Sequence, residues 1–204
     1  MTILLDIIAI VSLLVAVPLI TVKNLKYCVY AVIIQQTFIS ILYALSSHIL
    51  AGVINILAGT IVIPFILYYT VKKTQEIEAD PPIGSLYSTV ILVILLALGV
   101  SVSNSFFQLA VFPASLIIVL AGIGVYGLLL RSDLIKITMA LIMLETAVHV
   151  GLTYLAPAII DIPVIGTLIE VMAVFITGVM AYLTIGVYKE NLTSDSRRLR
   201  RLAG

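Results

Sequence analysis

Seven apolar stretches, each about as long as the helix that crosses a lipid bilayer, constrain this chain more than any other feature. They cover residues 3–22, 27–46, 49–70, 85–103, 112–130, 134–156 and 162–188. A membrane-spanning helix needs about 20 mainly apolar residues. With 62% hydrophobic and only 10% charged residues, the chain also lacks the charge that a soluble surface requires. We therefore expect an all-α integral membrane protein with about seven transmembrane helices.

The basic residues indicate how these helices are oriented. The eleven lysines and arginines are Lys23, Lys26, Lys72, Lys73, Arg131, Lys136, Lys189, Arg197, Arg198, Arg200 and Arg201. An odd number of spans puts all of them on one side, while Asp6 and Asp161 mark the other. Because short basic segments stay in the cytoplasm, we expect the N-terminus outside and the C-terminus inside.

The same pattern divides the chain into four segments. Residues 1–71 form a first three-helix unit, 72–111 a cytoplasmic loop plus the fourth helix, and 112–190 a second three-helix unit. Residues 191–204 form a basic cytoplasmic tail, which is either a membrane or partner contact or a simple charged anchor. A weak repeat aligns residues 24–37 with 133–146 and places Gln36 opposite Glu145. A parallel duplication and chance similarity both explain it.

Ionisable side chains inside the apolar stretches are the candidates for function. Glu145 and His149 share one face of the sixth helix, four residues apart, and Glu170 lies at a comparable depth in the seventh. A charge at mid-membrane costs roughly 2.5–3.5 kcal/mol, so an ionisable residue at that depth indicates a functional site. Burial and a nearby like charge favour the neutral form of a carboxyl group, which allows proton exchange near neutral pH. We interpret the three as a proton relay; the alternative is hydrogen bonding that only locks helix packing.

Other polar residues are candidates for lining a path to this relay. Gln36, Thr138 and Thr177 lie within the apolar stretches, while Asp133 and Lys136 stand at the cytoplasmic mouth. A packing role for Gln36 and a surface ion pair between Asp133 and Lys136 are the alternatives. Pro18 and Pro64 lie inside predicted helices, where we expect kinks.

Several functions have no support in the sequence. The net charge of +1 gives no basic surface for nucleic acid, and the single cysteine, Cys28, excludes an internal disulfide or a cysteine-ligated cluster. Nucleotide-binding, nucleophile-elbow and metal-binding spacings are missing too. We expect no catalytic residue, no cofactor and no metal site in this chain.

The sequence resembles a known family over roughly its last 90 residues. The block LLLRSDLIKITMALIMLETAVHVGL, the helix with Glu170 and the tail YKENLTSDS resemble subunit K of respiratory complex I and the matching small subunit of cation/proton antiporters. Over nearly the whole chain, including TVKNLKYCVYAVIIQQ, the layout resembles component E of the hydrogenase-4 and formate hydrogenlyase membrane arm. Two departures are that Glu170 lies over a turn further out than subunit K's second glutamate, and that residues 58–64 lack component E's lysine.

The resemblance implies a non-catalytic subunit in the plasma membrane of a prokaryote. Glu145 matches the family's mid-membrane glutamate, His149 a histidine of component E, and Glu170 an acid on its last helix. Implied partners are antiporter-like membrane subunits, a membrane anchor like that of complex I, and a peripheral hydrogenase-like redox module. The nickel–iron site and iron–sulfur clusters would belong to those partners. An antiporter subunit without a redox module, or a purely structural linker subunit, are the alternatives.

Overall fold

The computed structural model describes residues 2–46, 48–76, 85–106, 111–155 and 162–195, and these form seven continuous helices and no strand. The helices are α1 Thr2–Thr21, α2 Leu25–Leu45, α3 Ile49–Thr74, α4 Ser85–Phe106, α5 Val111–Leu130, α6 Leu134–Leu155 and α7 Ile162–Asn191. Each predicted apolar stretch corresponds to one helix, so the all-α fold class is confirmed.

Four helices are long and apolar enough to cross a membrane, judged on the described residues. These spans are Leu25–Leu45, Ile49–Thr74, Leu134–Tyr154 and Val164–Asn191, whereas the apolar parts Leu4–Leu19 and Ser115–Leu130 are shorter. The chain therefore has the character of a membrane protein. Seven spans, and the orientation of the chain, stay predictions.

The two three-helix units pack against each other helix by helix. α1 contacts α5, α2 contacts α6 and α3 contacts α7, while α2 lies against α1 and α3, and α6 against α5 and α7. The predicted repeat aligns the same helices with each other: α1 with α5, α2 with α6 and α3 with α7. Asn24 and Asp133, which the repeat aligns, cap α2 and α6: Asn24 accepts from the Lys26 backbone N–H at 3.0 Å and Asp133 from that of Lys136 at 2.9 Å. Superposition of the two units remains the test of a duplication.

The middle of α3 departs from regular α-helix. Residues Ile56–Val62 form a π-helical segment, and the backbone N–H of Ile63 bonds to the carbonyl of Ala58, five residues back. Pro64 follows directly; it has no N–H for the carbonyl of Thr60, so the ordinary bonding pattern cannot continue there. Single π turns often lie at functional sites. This one is next to the buried polar groups described below.

The two polar segments of the chain, the internal loop and the C-terminal tail, differ from expectation. The predicted loop begins at residue 72, but α3 continues through Thr74 and holds Lys72 and Lys73 in its last turn, because the left-handed residue Gln75 (φ 53°) ends it. The rest of that loop, residues 77–84, lies outside the described residues, as do Asp161 and the tail from residue 196. Residues 192–195 fold back onto the helix ends, where Thr193 and Ser194 are buried.

Candidate functional site

The centre of the candidate site is a contact between a histidine of α6 and a glutamate of α7. His149 Nδ1 lies 3.0 Å from Glu170 Oε1, and each residue is only 2% exposed. The short connection between α6 and α7 makes them antiparallel neighbours, as the sequence predicted. The imidazole and the carboxyl group can therefore pass a proton directly between the two helices.

Glu145 completes a cluster of three ionisable side chains. It lies one turn before His149 on α6. One side-chain nitrogen or oxygen atom from each of Glu145, His149 and Glu170 lies within 4.8 Å of the others. Three enclosed atoms of this cluster, Glu145 Oε1, His149 Nε2 and Glu170 Oε2, have no hydrogen-bond partner among the described residues. Buried polar atoms are nearly always bonded in folded proteins. These three atoms are therefore available to bind protons or another ligand.

Gly166 makes the histidine contact possible. A Cβ atom at this position of α7 would lie 2.8 Å from His149 Nε2, closer than real Cβ atoms approach other atoms. Gly166 and Glu170 are four residues apart and share a face of α7. Sequence reasoning missed Gly166; its spacing from Glu170 is the only signal that the sequence offered.

Tyr43 is a second neighbour that the sequence did not reveal. Its fully buried ring lies on α2, with its centroid 4.8 Å from that of His149 and the planes inclined by 36°. Tyr43 follows Gln36 by seven residues, so both lie on the face of α2 that meets α6. The imidazole is therefore held between an aromatic ring and the backbone of Gly166.

A network of amide and hydroxyl groups adjoins the cluster. Asn55 Nδ2 on α3 donates to the Gln36 carbonyl at 3.1 Å and to Ser40 Oγ at 2.8 Å, both on α2. Gln36 Nε2 donates in turn to Thr146 Oγ1 on α6 at 2.8 Å, and Thr146 follows Glu145 in the chain. Gln36 is thus a packing group that also brings polar atoms beside Glu145.

The remaining candidates for a path lie apart from the cluster. Thr138 and Thr177 are buried, but their hydroxyls donate within their own helices, to the carbonyls of Leu134 and Ala173, each at 2.7 Å. Asp133 is twelve residues before Glu145, about 18 Å along the axis at ~1.5 Å per residue. The structure brings Glu145, His149, Glu170 and Gln36 together and leaves these others outside.

Asp133 and Lys136 do not form the surface ion pair that the sequence left open. Both are buried, at 8% and 2% exposure. The Lys136 ammonium donates to the carbonyls of Leu19 and Val22 at the end of α1, at 2.9 and 2.8 Å, and to Cys28 Sγ at 2.8 Å. These three acceptors use all three of its protons. The Lys136 ammonium therefore caps the carbonyl end of α1 and does not pair with the Asp133 carboxyl group.

A cavity on the outer side of the α3–α7 pair reaches the cluster. Its volume is about 220 Å³. The lining residues are Ile54, Leu57, Ala58, Glu170, Val171 and Val174. Leu57 and Ala58 belong to the π-helical segment, so the irregular turn of α3 forms part of the cavity wall beside Glu170. The wall is apolar, and Glu170 itself is only 2% exposed.

The same three side chains offer a set of donors that could hold a metal ion. Two carboxylates and an imidazole within 4.8 Å of one another are ligand types that divalent transition metals accept. The sequence-based expectation of no metal site stays a prediction.

Comparison with protein-family models, curated proteins and solved structures finds no match to this chain.

Proposed function

We propose that this chain is a non-catalytic membrane subunit of a group 4 hydrogenase or complex I-like assembly, and that it couples electron transfer in partner subunits to translocation of protons, or sodium ions. The observation that carries the proposal is the buried cluster of Glu145, His149 and Glu170. The cluster joins two helices by a contact through which a proton can pass.

Unbonded atoms in the cluster favour this function over a purely structural linker. A side chain that serves only to lock two membrane helices gains its energy from completed hydrogen bonds. Here one polar atom of each of Glu145, His149 and Glu170 is enclosed and unbonded within the described residues. Such a cost is expected where groups must bind and release an ion.

The wider setting belongs to the same proposal. All seven helices cross the plasma membrane of a prokaryote, with the N-terminus outside and the C-terminus in the cytoplasm. The partners are antiporter-like membrane subunits, a membrane anchor like that of complex I, and a peripheral redox module. That module holds the nickel–iron site and iron–sulfur clusters, and this chain holds no cofactor. A neighbouring protein of the assembly packs over the apolar cavity beside Glu170.

Replacement of Glu145 by glutamine tests the proposal. Glutamine keeps the size and hydrogen-bonding capacity of the side chain but cannot carry a proton. In the purified complex reconstituted into liposomes, we expect normal assembly and ion translocation reduced by about 10²-fold, the lower end of what a positioned proton-transfer group contributes. Translocation is followed with a pH-sensitive dye, and electron transfer with an artificial acceptor.

Glu190→Gln is the matched control, because Glu190 is an exposed residue at the end of α7 and undergoes the same chemical change. Its translocation should equal that of the unmodified complex. Full translocation in E145Q would show that the cluster is structural. Mass spectrometry of co-purifying subunits separates the remaining alternative: antiporter-like subunits without a redox module would identify a cation/proton antiporter subunit.

A further inference from the structure

A second group of polar residues joins the ends of three helices at the far end of α6 from the cluster. After α7, the left-handed residue Leu192 (φ 58°) turns the chain back, and Ser194 is fully buried. The Ser194 backbone N–H donates to Glu76 Oε1 at 2.7 Å, and its hydroxyl bonds to Glu76 Oε2. Ser194 Oγ also lies 3.1 Å from Asp133 Oδ2. Ser194 thus stands between two carboxyl groups.

The number of protons in this arrangement is fixed by chemistry. A serine hydroxyl has one proton and can donate it to one acceptor, whereas an ionised carboxylate can only accept. If Ser194 donates to Glu76, then Asp133 must donate a proton of its own to Ser194 Oγ. If Ser194 donates to Asp133, then Glu76 must do so. When both contacts are hydrogen bonds, one of the two carboxyl groups is therefore protonated.

We propose that Asp133, Ser194 and Glu76 form a proton-binding site, in which the two carboxyl groups share one acid proton through the Ser194 hydroxyl. The geometry places that proton on Asp133, because Glu76 already accepts two bonds from Ser194. The other Asp133 oxygen, Oδ1, accepts from the Lys136 backbone N–H at 2.9 Å, which leaves Oδ2 as the donor.

Electrostatics at the site agrees with this placement. Burial raises the pKa of the Asp133 carboxyl group above its ordinary value, and the Glu76 carboxylate raises it further. The Lys136 backbone N–H, the Ser194 hydroxyl and the charge of Lys136 act in the opposite direction without cancelling this rise. The other charged groups at these ends of the elements are Lys72 and Lys73 on α3, Arg131 before α6, Lys189 and Glu190 at the end of α7, and Asp195, whose backbone pairs with Asp133.

The site connects α3 with the two helices that hold the buried cluster. Glu76 follows α3, Asp133 caps α6 and Ser194 follows α7, while Asn55, Glu145 with His149, and Glu170 lie on the same three helices. An acid whose pKa is raised in the folded state stabilises that state at low pH and loses this contribution as pH rises through the raised pKa. Loss of the shared proton would therefore release the Ser194 segment. This inference does not depend on the proposed function.

Replacement of Asp133 by asparagine tests the site. The amide oxygen can accept from the Lys136 N–H while the NH₂ group donates to Ser194, so the variant imitates the protonated acid at every pH. Amide hydrogen exchange of residues 193–195 is measured on the full chain in its membrane, and each variant is compared with the unmodified chain at the same pH. Protection in the unmodified chain should fall as pH rises toward and through the raised pKa of Asp133, by up to about tenfold per pH unit, the slope for one proton, and should level off above it.

The outcomes separate cleanly. D133N should keep the protection that the unmodified chain loses, S194A should lose it at every pH, and Glu190→Gln, an acid-to-amide change at an exposed residue of α7, should behave as the unmodified chain. Protection that is independent of pH in the unmodified chain would overturn the proposal. Infrared spectroscopy gives a second readout if D133N does not assemble: the unmodified chain should show a carboxylic acid C=O band that disappears over the same pH range. A missing band would also overturn the proposal.

Discussion

At the scale of single residues, the distance between α6 and α7 at the cluster depends on a glycine. Gly166 lies against His149 Nε2, and the added methyl group of an alanine would meet that nitrogen at 2.8 Å. The imidazole has little freedom to move away, because the buried Tyr43 ring lies on it. The His149–Glu170 contact should therefore be lost before the helices separate.

Gly166→Ala is expected to cost about 1–3 kcal/mol of stability, the usual range for overpacking a buried site. Proton translocation should fall with it, because the imidazole is turned from Glu170. Thermal unfolding in detergent and dye-monitored translocation measure the two effects. Gly178→Ala is the control on the same helix, since its Cβ would meet nothing within 4 Å. Equal behaviour of the two variants would contradict the role given to Gly166.

The sequence revealed the ionisable members of the site and Gln36, but it did not reveal Gly166 or Tyr43. Glu145, His149 and Glu170 stand out because each interrupts an apolar stretch, and the free-energy cost of placing an ionisable side chain in a membrane can be stated from the sequence alone. Gly166, Tyr43 and Ser194 are ordinary residues for a membrane helix or its flank. Their importance comes from contacts between segments far apart in the chain, such as the 118 positions between Glu76 and Ser194.

At the scale of elements, α3 is held to α2 by one amide. Asn55 lies directly before the π-helical segment and donates to both the Gln36 carbonyl and Ser40 Oγ. Gly59 gives it room, since a Cβ there would lie 2.8 Å from Asn55 Oδ1. The number of helices followed from the lengths of the apolar stretches. Pro64 predicted an irregularity in α3, but the sequence did not predict that it takes a π-helical form beside these contacts with α2.

Asn55→Leu should weaken the α2–α3 contact, because leucine fills a similar volume without the donor. Side-chain hydrogen bonds between membrane helices contribute about 0.6 kcal/mol on average and up to about 1.7 kcal/mol. We expect a loss in this range for each bond, measured as the free energy of unfolding in detergent. A double-mutant cycle with Ser40→Ala isolates the Ser40 bond. Additive effects of the two changes would show that this bond contributes nothing.

At the scale of the whole molecule, the proposed orientation makes a prediction about the two ends of α3. His48 precedes this helix and Lys73 lies in its last turn. With 26 residues, α3 is about 39 Å long at ~1.5 Å per residue, enough to cross a bilayer. The end with Lys73 should face the cytoplasm, because it carries the basic residues.

Single cysteines in place of His48 and Lys73 test this orientation with a thiol reagent that does not cross membranes. In intact cells, H48C should react and K73C should react only after the cells are opened. The native Cys28 can remain, because it is fully buried. Reaction of only K73C in intact cells would invert the orientation, and equal reaction of both would show that α3 does not span the membrane.

The Lys136 cap bears on whether the two three-helix units are separable. The lysine belongs to the second unit, and its three acceptors, Leu19, Val22 and Cys28, all belong to the first. If the second unit were excised, a buried ammonium would lose every acceptor at once, at the cost of several kcal/mol that an unpaired charge carries. A shortened chain that begins at residue 112 would leave the Lys136 ammonium without all three of these acceptors. The first three helices therefore supply the surroundings in which the Lys136 side chain of α6 is buried.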